Sequence, residues 1–187
     1  MQNIEQFFIP ALLGIGLSAA CGLRIFIPLL FLSCLSYFGK ITLSPSFLWI
    51  GTMPALLTFA IAAILEVSAY YIPFIDNLLD SISIPGSVAA GGVMFASLFP
   101  DTEPLIKYSF ALIAGGGIAG LTSAATSVTR LKSTALTGGI GNFVLATIES
   151  VGAIVVSLLS WLFPVLVILF ILFFVWLFLK TVKKVSH

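Results

Sequence analysis

Long apolar runs alternate along the chain with short polar interruptions, and the runs set the expected elements. The first covers residues 7–38, and Arg24 is the one charge inside it. As a helix rising 1.5 Å per residue, it would reach about 48 Å, well past the ~30 Å hydrocarbon core of a bilayer. It must tilt strongly or break near Gly22 and Pro28, because Pro28 has no N–H to give to the carbonyl of Arg24. Gly39, Lys40, Ser44 and Pro45 mark the first loop. The second run, residues 47–71, has Pro54 near its start and Glu66 near its end, with Tyr70 and Tyr71 where interfacial anchors are expected. In the segment that follows, residues 73–80, Asp76 and Asp80 are spaced i, i+4 and share a helical face. It reads as a short amphipathic or re-entrant piece.

A third run starts at Pro85 and Gly86 and ends at Phe99. It is short and glycine-rich, so it is expected inside the bundle. Pro100-Asp-Thr-Glu-Pro104 is a polar turn. The fourth run, residues 105–128, carries Gly115, Gly116, Gly117 and Gly120. Each glycine weakens a helix by about 1 kcal/mol relative to alanine, so close backbone packing must offset them. Arg130, Lys132 and Ser133 form the next expected loop. The fifth run, residues 142–159, carries Asn142 and Glu149 two turns apart on one face. The sixth, residues 161–179, is apolar all round and stops at Lys180, Lys183 and Lys184.

Composition turns these runs into membrane spans. Charged residues make up 8% of the chain, against about 25% in a soluble domain, too few to cover a water-facing surface. The expected fold is all-α, a polytopic membrane helical bundle of about six spans forming a single domain over residues 1–187. A net charge of +1 with no basic patch speaks against nucleic acid as a partner. Cys21 and Cys34 lie in the first run and read as small apolar residues. The amino terminus lacks the positive region of a cleavable signal, so the first span is expected to direct insertion. With six spans, Arg130, Lys132, Lys180, Lys183 and Lys184 share one side and Lys40 and Lys107 the other. That bias puts both termini in the cytoplasm.

The charges within the runs are the candidates for chemistry. A central arginine costs about 2.5–3.5 kcal/mol on insertion scales, so Arg24 must face protein, water or a ligand. Gly16-Leu-Ser-Ala-Ala-Cys-Gly-Leu-Arg24 is echoed by Gly120-Leu-Thr-Ser-Ala-Ala-Thr-Ser-Val-Thr-Arg130, and the two segments are expected to face each other across the core. Each is followed by a span with a buried acid, Glu66 or Glu149. Three spans per half imply a 3+3 inverted repeat, the halves covering residues 7–99 and 105–180, as in transporters. Each arginine is expected to pair with one of the acids. Such pairs either line a polar site or simply hold helices together. Arginine forks suit a carboxylate or phosphate; carboxylates alone suit a proton or cation. Ser18, Ser123 and Asn142 are candidates to line the site, although helix-to-helix hydrogen bonding explains them equally. Asp76 and Asp80 are candidates for ion coupling or, alternatively, a solvated face. No nucleophile–base pair, nucleotide loop or metal-ligand spacing occurs, so neither an enzyme nor a cofactor nor a metal is expected.

The segment from Gly16 to Arg24 with Pro28-Leu-Leu after it, Glu66, and Ile72-Pro-Phe-Ile-Asp76-Asn-Leu-Leu-Asp80 together resemble the bacterial membrane family known as domain of unknown function 4126. The likeness runs to about Leu159 and implies a multi-pass protein of the bacterial inner membrane, with no activity attached. The leading expectation is a small transporter or channel-like permease for a small ion or anionic solute, surrounded by membrane lipid. A flippase-like lipid-handling protein and a structural or assembly protein are the alternatives. The Gly116 and Gly120 face suits either a homodimer or an internal contact.

Overall fold

The computed structural model describes residues 2–100 and 102–164, without the side chains of residues 2–7, 73–74 and 76–77. The helices are α1 (Gln2–Cys21), α2 (Phe26–Tyr37), α3 (Met53–Ala69), α4 (Pro73–Leu98), α5 (Pro104–Phe110), α6 (Gly117–Thr137) and α7 (Gly141–Leu162). A 3-10 turn, Pro45–Gly51, leads into α3, and a π-helical stretch, Ala111–Gly116, joins α5 to α6 without a stop. Among the described residues, three helices are long and apolar enough to cross a membrane: Leu78–Leu98, Pro104–Thr137 and Gly141–Leu162. The 3-10 turn and α3 make a fourth if their 64° bend is one broken span. The expected sixth span and its terminal lysines lie outside the described residues.

The first run breaks, one of the two outcomes its length allowed. Backbone bonds from Gly22 to Ala19 and from Leu23 and Arg24 to Ala20 end α1, and α2 restarts at Phe26. Pro28 falls in the first turn of α2, where its missing N–H would have had no helical partner, so the break sits at residues 22–25 rather than at the proline.

Helix α1 is the central post, packing on α4, α6, α7 and α2. Its Leu17, Ala20 and Cys21 are fully buried, and Leu13, Leu17 and Cys21 share a core with Leu29, Leu32, Met94 and Leu98. Small residues set the close approaches. A Cβ on Gly22 would come within 2.5 Å of the Ala119 carbonyl, so the two small-residue segments do face each other. One on Gly91 would come within 2.6 Å of the Gly115 carbonyl. Gly116 and Gly120 pack on Val88 of α4, an internal use of that face.

Three expectations are corrected. Helix α4 runs straight through Pro85, so the acidic segment and the third run are one helix; in a bundle, neighbouring groups can make good the backbone bond a proline removes. The fourth run continues through residues 129–137, because the actual stop is Gly138 in the left-handed conformation at φ 63°, the usual C-terminal signal. Lys107, counted with Lys40 in the charge bias, does not lie at a water-facing end: it is buried in α5, its ammonium on the Ser44 hydroxyl and 5.6 Å from the centre of the Phe47 ring. Large apolar side chains point outward from α3 (Leu57, Ile61, Ile64, Leu65) and α7 (Val144, Ile148, Val151, Val155), the surface that lipid would cover.

Candidate functional site

Breaking the first helix frees backbone N–H groups in an apolar interior, where each needs an acceptor. Glu66, near the end of α3, supplies it. Oε1 accepts from Ile25 N–H at 2.8 Å and Oε2 from Phe26 N–H at 2.9 Å. Glu66 is therefore the cap of α2, with its charge at the positive end of the helix dipole. The expected pairing of one arginine with each acid is corrected here. Both arginines converge on Glu149, because the freed amides already occupy both oxygens of Glu66.

Arg24, just past the end of α1, reaches α7. Its Nη2 is 3.2 Å from Glu149 Oε2 and donates to the Ala146 carbonyl at 3.0 Å, while Nε donates to Ser150 Oγ at 3.1 Å. Arg130, in α6, donates from Nε to Glu149 Oε1 at 3.0 Å, and its Nη2 closes a short contact with Oε2. Its Nε also lies 3.7 Å from Asp80 Oδ1 of α4. Both guanidiniums lie over the Tyr70 ring, at 3.7 and 4.4 Å from its centre. An aromatic face attracts a desolvated cation by roughly 2 kcal/mol, so Tyr70 adds to what holds the two like charges together.

The space between these groups amounts to about 10 Å³, room for about one water molecule. Around it stand Arg24, Glu66, Tyr70, Asp80, Arg130 and Glu149, with Ser83 and Ser87 of α4 and Ser123 and Thr126 of α6. Ser123 Oγ donates to Ser83 Oγ at 3.3 Å across the helix pair.

Of the residues expected from sequence, Arg24, Glu66, Arg130, Glu149, Ser123 and Asp80 come together. Ser18 does not line the space; it donates to the Gly91 carbonyl at 2.8 Å and ties α1 to α4. Asn142 donates to Thr134 at 3.0 Å, also away from it. The side chain of Asp76 lies outside the described residues. Tyr70, expected as an interfacial anchor, is buried at the centre; Tyr71 stacks on Phe143, its hydroxyl 2.7 Å from Thr147. Ser83, Ser87 and Thr126 were not anticipated. Their signal was spacing: Asp80, Ser83 and Ser87 on one helix and Ser123, Thr126 and Arg130 on the other each repeat at i, i+3, i+7.

Replacing Glu66 with glutamine is expected to destabilise the break by about 1–2 kcal/mol, since the amide turns an NH₂ toward one of two N–H groups. Hydrogen exchange should accelerate at Ile25 and Phe26 and leave the middle of α7 unchanged. Unaltered exchange at those two amides would show that Glu66 does not cap α2.

Apolar helices of spanning length around a buried cluster of opposite charges define an all-α protein of membrane type. The chain belongs to the family described as domain of unknown function (DUF4126), whose model matches residues 11–184. No curated protein and no solved structure matches it.

Proposed function

We propose that this chain is a small membrane transporter or channel-like permease with an intramembrane site for a small ion. The carrying observation is the convergence of Arg24, Glu66, Asp80, Arg130 and Glu149, from the helix break, α3, α4, α6 and α7, on one polar space inside an apolar bundle. Ionisable groups are costly there, and where they gather around a space they mark a pathway more often than a scaffold. A helix broken beside the site fits the same reading, since transporter sites use interrupted helices.

The finer architecture in this proposal has six spans in a 3+3 inverted repeat. Its support is that Arg24 and Arg130 meet at one carboxylate, while Glu66 and Glu149 come from the second span of each half. Placement in a bacterial inner membrane with both termini cytoplasmic rests on the lysine and arginine bias. The chain acts without enzymatic chemistry, in membrane lipid, as a monomer or a homodimer.

A structural role is the second reading. One observation favours it: Arg24, Arg130 and Glu149 are almost fully buried on one another, with room for about one water beside them.

The test is ion flux through purified protein in liposomes, under imposed pH, sodium and chloride gradients with the membrane potential clamped. Under at least one gradient, flux should exceed that of empty liposomes and fall in Arg130→Met. Wild-type vesicles matching empty ones under every gradient would favour the structural reading.

A further inference from the structure

We propose that the first run does not cross the membrane. Helices α1 and α2 form a re-entrant hairpin that enters from one face, turns at residues 22–25 beside the polar space, and leaves by the face it entered.

Helix α4 serves as the ruler. The first arm of the hairpin runs down it. A Cβ on Gly14 would lie 3.3 Å from Phe95 Cα, and Ser18 donates to the Gly91 carbonyl at 2.8 Å. A Cβ on Gly86 would lie 2.8 Å from Ile25 Cδ1. Rising positions in α1 thus meet falling positions in α4, and the turn sits level with Gly86. From there to Leu98, the last residue of α4, is about 18 Å at 1.5 Å per residue. That depth is a little past the middle of a ~30 Å hydrocarbon core.

The second arm climbs back. Glu66, late in α3, holds the start of α2 through the Ile25 and Phe26 N–H groups. Further along α2, Ser33 donates at 2.6 Å to the Ile50 carbonyl, which precedes α3. Ser44 N–H then donates at 2.8 Å to the Ser97 carbonyl, in the last turn of α4. Residues 14 and 44 therefore stand at the same end of α4, with the turn between them far deeper. A run that crossed would have its two ends at opposite ends of that helix.

Length agrees. The apolar arms, Phe8–Cys21 and Phe26–Tyr37, reach about 21 and 18 Å, enough to enter and return and short of the ~30 Å a crossing needs. Irregular backbone at membrane depth is tolerated where protein buries it and satisfies its polar groups. Here Arg24 is buried and Glu66 takes the two amides of the turn. The hairpin replaces the first crossing of the six-span arrangement and puts the amino terminus on the face of Lys40, opposite Ile72 and Ile140. The later runs and the charged site stay as described. Leu13, Leu17, Leu29, Leu32, Met94 and Leu98 fill the depth on the hairpin's side, so approach to the polar space is from the face of Ile72 and Ile140.

The experiment is cysteine mapping of the full chain in right-side-out vesicles, with Cys21 and Cys34 replaced by alanine and single cysteines placed at Gln2, Lys40 or Ile140. A membrane-impermeant maleimide is added before and after the vesicles are opened. Closed vesicles should label both Gln2→Cys and Lys40→Cys or protect both, and should treat Ile140→Cys in the opposite way. Gln2→Cys following Ile140→Cys would show that the first run crosses and overturns the proposal. A second readout is cross-linking. Gly14→Cys paired with Phe95→Cys should form a disulfide on mild oxidation, since the two backbones lie within the reach of one. Gly14→Cys paired with Ile72→Cys should not. The reverse pattern, or no disulfide in either pair, also overturns the proposal. Neither readout involves ion flux, so the transport reading can fail while the hairpin stands, and the hairpin can fail while transport is observed.

Discussion

Glu149→Ala is expected to destabilise the folded chain by about 3–5 kcal/mol, the cost of leaving a buried charge without its partner. The same change at an exposed ion pair would cost at most about 1 kcal/mol, and burial decides which figure applies. Glu149 accepts from Arg130 Nε at 3.0 Å and stands 3.2 Å from Arg24 Nη2, with 8% of its side chain exposed. Without it, Arg24 is left with Ser150, the Ala146 carbonyl and the Tyr70 ring, and Arg130 still faces Asp80 at 3.7 Å, with no carboxylate between the two guanidiniums. Two guanidiniums over one Tyr70 ring would then repel each other at short range. Glu149→Asp should restore part of the loss by returning the charge on a shorter stem. Unfolding by denaturant in detergent, followed by circular dichroism, measures both variants. A loss below about 1 kcal/mol for the alanine variant would mean that water reaches the arginines freely.

The second large effect is steric. Gly91→Val should cost about 1–3 kcal/mol or more, the range for overpacking a filled core. The added Cβ alone would lie 2.5 Å from Ala119 Cβ and 2.6 Å from the Gly115 carbonyl, so α4 and α6 would have to separate. Separation would also strain the Ser18 hydrogen bond to the Gly91 carbonyl. Gly117→Ala is the matched control. Nothing lies within 4 Å of a Cβ built there, so the helix should gain up to about 1 kcal/mol. Thermal unfolding of the two variants in the same detergent should move in opposite directions. Equal behaviour would show that the α4–α6 contact is not tight.

The break beside Arg24 was legible from sequence because one charge in a run too long for a bilayer leaves few alternatives. The choice of partners was not. An inventory of two arginines and two acids suggests two pairs, and only the folded backbone reveals that Ile25 and Phe26 compete for Glu66. Arg130 read as a loop residue because Thr129, Lys132, Ser133 and Thr134 surround it in sequence. On α6 its own side chain turns inward and is 2% exposed, while Lys132 is exposed. Asp80 was found by its spacing from Asp76, but Pro85 hid its continuity with Ser83 and Ser87. Tyr70 was misplaced because a tyrosine at the end of an apolar run looks alike whether it meets lipid headgroups or two guanidiniums.

The π-helical stretch bears on insertions and deletions. Its turns hold more residues than α-helical ones, commonly as a one-residue bulge, so Ala111–Gly116 behaves as an insertion the helix has absorbed. Excising one residue there, such as the outward-facing Ile113, should return the stretch to α geometry and keep Lys107 and Arg130 in their present rotational phase. The same excision between Gly117 and Arg130 would swing the guanidinium about 100° around the axis, away from Glu149. Chain length in this helix is thus adjustable by one residue at the π stretch and fixed between it and Arg130.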